Sequence, residues 1–413
     1  MKTNRLTTPS LHLSRKICAL ALVAFFASAG MAATYYVATT GSDSNAGTLA
    51  APFKSITKAQ SVASSGDTVS IRGGTYSSFT IAGSDSNYNY VHQLSKGGIS
   101  YVAYTGETPI FNFSSITTSL RVCGFHVTGS GIKITGLVVT GTPVGSQKQS
   151  ENFRIDGSAA SCAFTRCVCH DTAANGFYFT NKSTGSCTNC DSYNNIGTSS
   201  ASIGNTDGFG SHGNGVTCTY CRSWHNSDDG FDGIASYGSN TWDHCWAYNM
   251  TAGGDSNGFK AAGWGSTTPP SSIPVHTVKY CLCANCNSHG FYANHQPSQA
   301  ANWTYNTSYN NAAADYDMLE RVSPTDATDI PGTREVLHYN IAYVGTIMAD
   351  SNLPAANVTN NSWTKSGVTV SSADFQSTDA TQMTKARNSD GSLPTITFMH
   401  LVSGSDLAGL GCF

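Results

Sequence analysis

Four acids and one amine recur at matching places along this chain. Asp207 opens Asp207-Gly208-Phe209, Asp228-Asp229-Gly230-Phe231-Asp232 follows, and Lys260 closes Asn257-Gly258-Phe259-Lys260. Clustered carboxylates are hard ligands, and a site of about six to eight oxygens in irregular geometry suits calcium better than zinc. A lysine beside such a cluster feels opposed influences, because a bound cation lowers its pKa and the aspartates resist that. A neutral amine next to a metal can act as a base, so the set points to metal-assisted proton abstraction. The plainer alternative is a cross-strand Asp232–Lys260 ion pair, a contact that contributes little when exposed.

This chemistry requires acids far apart in sequence to become neighbours, and a repeat supplies the means. Gly-Phe occurs at 176/177, 208/209, 230/231, 258/259 and 290/291; Asn175, Asp207, Asp229, Asn257 and His289 precede it, and Tyr178, Gly210, Asp232, Lys260 and Tyr292 follow it. Segments beginning at Cys167, Cys190, Cys221, Cys245 and Cys286 share a second rhythm, as in Cys190-Asp-Ser-Tyr-Asn-Asn and Cys221-Arg-Ser-Trp-His-Asn. Each unit holds short runs with period-2 alternation, separated by Asn, Gly, Ser and Asp, which tolerate left-handed backbone at corners. Helical periodicity is nearly absent. Strands that recur once per turn of chain give an all-β parallel β-helix, here of about ten rungs, with equivalent residues stacked about 4.8 Å apart. If the phenylalanines point inward, alternation sends Gly and the residue after Phe outward, which sets Asp232 beside Lys260.

An open solenoid end needs a cap. Ile56, Ala59 and Ala63 repeat at helical spacing and predict a short capping helix after the strand Tyr35-Tyr-Val-Ala38. Past Val344 the rhythm weakens, so a C-terminal extension from about residue 345 is expected to pack along the outside or close the far end. No linker interrupts the chain, so residues 34–413 read as a single domain.

Only 11% of residues are charged and the net charge is −3, which argues against nucleic acid or an anionic membrane as partner. Residues 1–33 read as a signal peptide: Lys2, Arg5, Arg15 and Lys16 precede an apolar run from Ile17 to Ala27, too short to span a bilayer. No later stretch approaches the roughly 18 apolar residues of a spanning helix. The expected mature protein is secreted, soluble and monomeric. Losing Cys18 with the leader leaves 14 − 1 = 13 cysteines, which cannot all pair within the chain. Cys187-x2-Cys190 and Cys218-x2-Cys221 superficially resemble a zinc site, but cysteines in phase with the rungs are better read as stacked small hydrophobes, some cross-linked between strands.

At these residues the chain resembles the family 9 polysaccharide lyases, pectate lyases built on a right-handed parallel β-helix. The likeness takes in the opening Thr34-Tyr-Tyr-Val-Ala…Gly41-Ser-Asp-Ser…Ala51-Pro-Phe, the rungs, and the closing Asp390-Gly-Ser-Leu-Pro394…Leu401-Val-Ser-Gly-Ser405. It implies that Asp207 and the Asp-Asp-x-x-Asp group of Asp228, Asp229 and Asp232 bind calcium, and that Lys260 is the Brønsted base. The implied reaction is β-elimination on polygalacturonate or pectin, giving 4,5-unsaturated oligogalacturonides with an alkaline optimum. The cysteine richness and the segment Trp264 to Lys279 have no counterpart in that pattern.

Other readings share the fold. Asn205-Thr206-Asp207 and Asp228-Asp229 also resemble the first acidic motifs of polygalacturonases, but Gly258-Phe-Lys260 stands where that family has Gly-His-Gly, and Ser211-His212-Gly213 comes too early. Lyases of other uronate polymers use β-helices, and a non-catalytic carbohydrate-binding solenoid would use calcium for rigidity alone. Arg222, His295 and Arg321 flank the same rungs and are candidates to pair with substrate carboxylates, a task to which Arg is suited by its bidentate geometry.

Overall fold

The structure, a computed structural model, describes residues 1–3, 32–251, 253–261, 272–297, 300–323, 325–348 and 353–413. The leader read over 1–33 lies almost wholly outside the described residues, as does the first part of the segment from Trp264. Ala33–Phe413 forms one compact unit. Three long sheets of 12, 10 and 11 strands run its length, parallel except where Gly83–Ser84 pairs antiparallel with Tyr88–Leu94 at one end of the third, and successive turns add one short strand to each. This is the right-handed parallel β-helix expected. The helix Ile56–Val62 lies against the first strands; Ser55 caps it by accepting from Lys58 N, and Ile56, Ala59 and the adjoining Ala63 are buried.

Strand register turns the Gly-Phe repeat into columns. Phe125, Phe153, Phe177, Phe209, Phe231, Phe259, Phe291 and Tyr316 are successive partners in the eleven-stranded sheet. Their rings stack through the core, with Phe209–Phe231 at 4.8 Å and Phe231–Phe259 at 4.7 Å. Phe231 is fully buried. Its replacement by alanine is expected to cost about 3–5 kcal/mol, read as a lowered midpoint of thermal unfolding.

The expected alternation fails at the corner, with a useful result. A Cβ on Gly208 would sit 2.1 Å from Ser223 Oγ, and one on Gly258 2.1 Å from Cys283 Sγ, so these glycines face inward against the ten-stranded sheet. Gly and Phe therefore both point into the core. The residues on either side of the pair, such as Asp229 and Asp232, emerge on the same outer face.

Corner chemistry is also broader than expected. One corner column, Arg166, Asn189, Tyr220, His244, Tyr280, Tyr305, Tyr339 and Asn360, is left-handed throughout, with φ between 51° and 59°. Aromatic residues take this strained backbone where their rings stack, as in Tyr280–Tyr305 at 5.1 Å and Tyr305–Tyr339 at 4.7 Å.

All 13 cysteines among the described residues are free and buried, so the expectation that some would cross-link is not met. Cys167, Cys190, Cys221, Cys245 and Cys281 form one column; its last member is Cys281 rather than Cys286, because Trp246 pairs with Leu282. Two of the thiols donate to carbonyls of the preceding turn at 3.3 Å, Cys221 to Cys187 O and Cys245 to Cys218 O. Asn306, Asn340 and Asn361 continue the column, each side-chain carbonyl accepting from the backbone N–H one turn earlier. Among the described residues no three cysteines converge as metal ligands, since the sulfurs run along the axis.

The last strand of the coil is Val358–Thr359, beyond the point where the rhythm weakens. The remaining tail packs Phe375, Met383, Phe398 and Leu410 on the outer side of the ten-stranded sheet, over Trp246, Leu282 and Ile341. Near the coil's end, Glu335 is buried: Oε2 accepts from Ala301 N and Trp303 Nε1, and Oε1 meets no donor. Burial pushes this carboxyl from 4.5 up to about 8. The folded chain thus keeps a proton that the unfolded chain releases, so stability should fall as pH rises from 4.5 to about 8. Glu335→Gln is expected to flatten that decline, measured as unfolding midpoints on either side of the window.

Candidate metal and catalytic site

Asp207, Asp228, Asp229, Asp232 and Lys260 come together on the outer face of the eleven-stranded sheet, from three consecutive turns. All are nearly buried, from 0% exposed for Asp229 to 6% for Lys260. They line or underlie a cleft of about 620 Å³ whose other walls include Tyr178, His212, Ile234, Tyr237 and Asp255.

The column before Gly-Phe is a hydrogen-bond ladder. Asn175 Oδ1 accepts from Asp207 N at 2.7 Å, Asp207 Oδ1 from Asp229 N at 3.2 Å, and Asp229 Oδ1 from Asn257 N at 2.9 Å. Asn257 Nδ2 also donates to Asp229 Oδ1, at 2.8 Å. Each carboxylate is thereby held by one oxygen, and the other is left over. Asp228 and Asp232 follow suit, accepting on Oδ1 from Asp255 N and Ile234 N.

Asp232 and Lys260 are register partners, as expected. Their side chains do not pair. The ammonium turns instead to Asp229 Oδ2 at 3.0 Å and Asp255 Oδ2 at 2.9 Å. The first is an ion contact without a directed hydrogen bond, so Asp229 Oδ2 remains a buried oxygen with no hydrogen-bond donor.

Electrostatics show what this arrangement lacks. Burial, then repulsion from Asp228, Asp232 and Asp229, pushes the Asp207 carboxyl well above the usual range. Burial followed by Asp229 raises Asp228 to about 8, and burial raises Asp229. Burial would lower the Lys260 ammonium, but Asp229, Asp232, Asp255 and Asp228 together hold it well above its ordinary value. Acids that resist ionising and an amine locked in its charged form are the marks of a site short of positive charge. Asp207, Asp228 and Asp229 each offer an oxygen within 4.8 Å of the others, so the donor set fits a divalent cation.

The other candidates lie elsewhere. Arg222 is 3% exposed on the ten-stranded sheet; it pairs with Asp191 at 2.7 Å and donates to Met383 O and Lys385 O, so it anchors the C-terminal tail. Arg387 of that tail grips the same Asp191. His295 is occupied between Asp317 and Asp329, at 3.1 and 3.0 Å. Arg321 sits on the hairpin Leu319–Ser323 with Asp326–Pro331, its N–H donating to His295 O. Neither lines the cleft. Asp255 and His212 do line it, and spacing marks neither as a site residue, because neither belongs to a repeating column.

Residues 35–340 match the family model described as the Pel9A-like right-handed β-helix region. The chain is 27% identical over 400 residues to pectate lyase L of Dickeya chrysanthemi, covering 91% of this chain and 85% of that protein. A protein of the same name from Dickeya dadantii is 26% identical over the same shares. Among solved structures, a rhamnogalacturonan lyase is 34% identical with a TM-score of 0.84, over 92% of this chain and 99% of that one. The crystal structure of pectate lyase Pel9A superposes with a TM-score of 0.72 at 23% identity, over 92% and 91% of the two chains, a likeness of fold. With its coil, its acid-and-amine cleft and these relatives in place, the chain belongs to the Pel9A-like right-handed β-helix family and is a polysaccharide lyase.

Proposed function

We propose that the chain is an exported, calcium-dependent lyase that cleaves galacturonate-containing pectic polymers by β-elimination. The observation that carries this reading is the convergence of Asp207, Asp228, Asp229 and Asp232 around Lys260 in one cleft. These four aspartates would hold the ion through the oxygens their backbone hydrogen bonds leave over. Calcium bound there supplies positive charge beside the uronate carboxylate and acidifies the proton on the adjacent carbon. The same charge would offset the aspartates that hold Lys260 protonated, and the neutral Nζ then takes that proton, with Asp229 and Asp255 fixing the amine's position. As the carbon–carbon double bond forms, the bond to the glycosidic oxygen breaks, that oxygen takes a proton from solvent, and no water is added across the bond.

Polygalacturonate is the substrate that the residue pattern favours. A second reading, a backbone in which galacturonate alternates with neutral rhamnose, is supported by the 34% identical rhamnogalacturonan lyase. The cleft agrees with it: Lys148 and Lys260 are the cations among its lining residues, and Ile234, Ala235, Tyr237 and Tyr178 are uncharged walls. Assays on the two polymers, with calcium and then with chelator, separate these readings by the ultraviolet absorbance of the unsaturated product. Absorbance from neither polymer, with calcium present, would sink both.

A further inference from the structure

His212 occupies a place that its neighbours prepare for it. Gly210 stands in the outward column between Tyr178 and Asp232, where other turns carry a side chain. A Cβ there would lie 2.9 Å from His212 Nε2 and 2.8 Å from the Tyr178 ring. The imidazole of His212 fills the slot that the glycine leaves. It leans on Tyr178 at 4.9 Å between ring centroids.

The ring is also oriented. Nδ1 lies 2.6 Å from Ile234 O, and a carbonyl can only accept, so Nδ1 carries a proton and Nε2 is left as the nitrogen able to ligate. A backbone carbonyl bound to one imidazole nitrogen is the usual support for a histidine that ligates metal through the other. His212, Asp207 and Asp232 each place a ligand atom within 4.8 Å of the other two, yet His212 forms no ion pair with either carboxylate. The three atoms thus stand around a common space without touching, as ligands around an ion do. Asp207 and Asp232 are 4% and 5% exposed, and each has one oxygen that takes no hydrogen bond from the described residues.

We propose that His212, Asp207 and Asp232 form a second cation seat, which shares Asp207 and Asp232 with the four-aspartate calcium seat proposed above. An imidazole among carboxylates favours a borderline transition ion such as Mn²⁺, Co²⁺ or Zn²⁺ over calcium, whereas carboxylates alone favour calcium. Asp207 and Asp232 then bridge two unlike ions. This goes beyond the calcium reading of the preceding section.

The test uses the metal-stripped full chain and Co²⁺ as probe, followed by its visible absorption and by calorimetry. Wild type is expected to bind one Co²⁺ with calcium saturating. His212→Gln should lower Co²⁺ affinity by about tenfold or more and leave calcium affinity within about twofold. Asp228→Asn should do the reverse. Gly210→Ala, which keeps every donor but crowds the ring, should weaken Co²⁺ alone. Unchanged Co²⁺ affinity in His212→Gln, or displacement of Co²⁺ by calcium one for one, would overturn the second seat. Co²⁺ held through His212 by a chain that ignores calcium would uphold it and refute the calcium reading instead.

Discussion

Replacing Lys260 with alanine is expected to slow polymer cleavage by about 10²–10⁴-fold, the usual contribution of a positioned general base. Calcium binding should survive, because the amine is not among the donor oxygens. A non-catalytic binding solenoid would show no change in ligand binding, so the variant separates the two classes. Stability supplies a second readout. Lys260 lies 3.0 Å from Asp229, which is fully buried, and removing one partner of such a pair costs about 3–5 kcal/mol. The loss should appear as a lower unfolding temperature without calcium and shrink when calcium is added. A variant that cleaves at the wild-type rate would remove Lys260 from the mechanism.

The second large effect is expected from Asp229→Asn. One oxygen of Asp229 accepts from both Asn257 N and Asn257 Nδ2, and the other faces the Lys260 ammonium. An asparagine must turn its amide NH₂ toward one of those donor groups, and a buried donor facing a donor is costly. Calcium affinity should fall by on the order of tenfold or more, and cleavage with it, since a charged ligand has gone. The sign of the remaining pH dependence is fixed as well. Burial lowers the Lys260 pKa and Asp229 is the foremost group that raises it, so without that charge the amine loses its proton more readily. At saturating calcium the rising limb of the pH–rate profile should move to lower pH. A shift upward would mean that another group governs the limb.

Gly-Phe spacing made the coil and most of the cleft legible, because in a solenoid a column in sequence is a column in space. Asp207, Asp229, Asp232 and Lys260 could be placed before any coordinates. Three things could not. Asp255 lies between rungs on a segment with no repeat, so nothing in its spacing marks it as a partner of Lys260. His212 is significant only because Gly210 lacks a side chain and Ile234 offers a carbonyl, both facts of three-dimensional contact. Arg222 was drawn to the wrong face: register along the axis says which turn a residue belongs to, and the three sheets of a turn look alike in sequence. Its partners Asp191 and Met383 show that it fastens the tail. The failure of strict alternation was equally hidden. Two inward residues in succession, Gly and Phe, are what bring Asp229 and Asp232 to one side.

The sulfur column has a bearing on how the protein is made. Parallel strands one turn apart sit at about 4.8 Å, inside the Cα separations that a cystine can bridge, so every neighbouring pair of these thiols is a possible covalent staple. The finished coil contains none among its 13 described cysteines. A staple formed before the turns close could join sulfurs that do not belong to adjacent turns and freeze the winding out of step. Recovery of active enzyme from denaturant should therefore be higher with a reductant than with an oxidant.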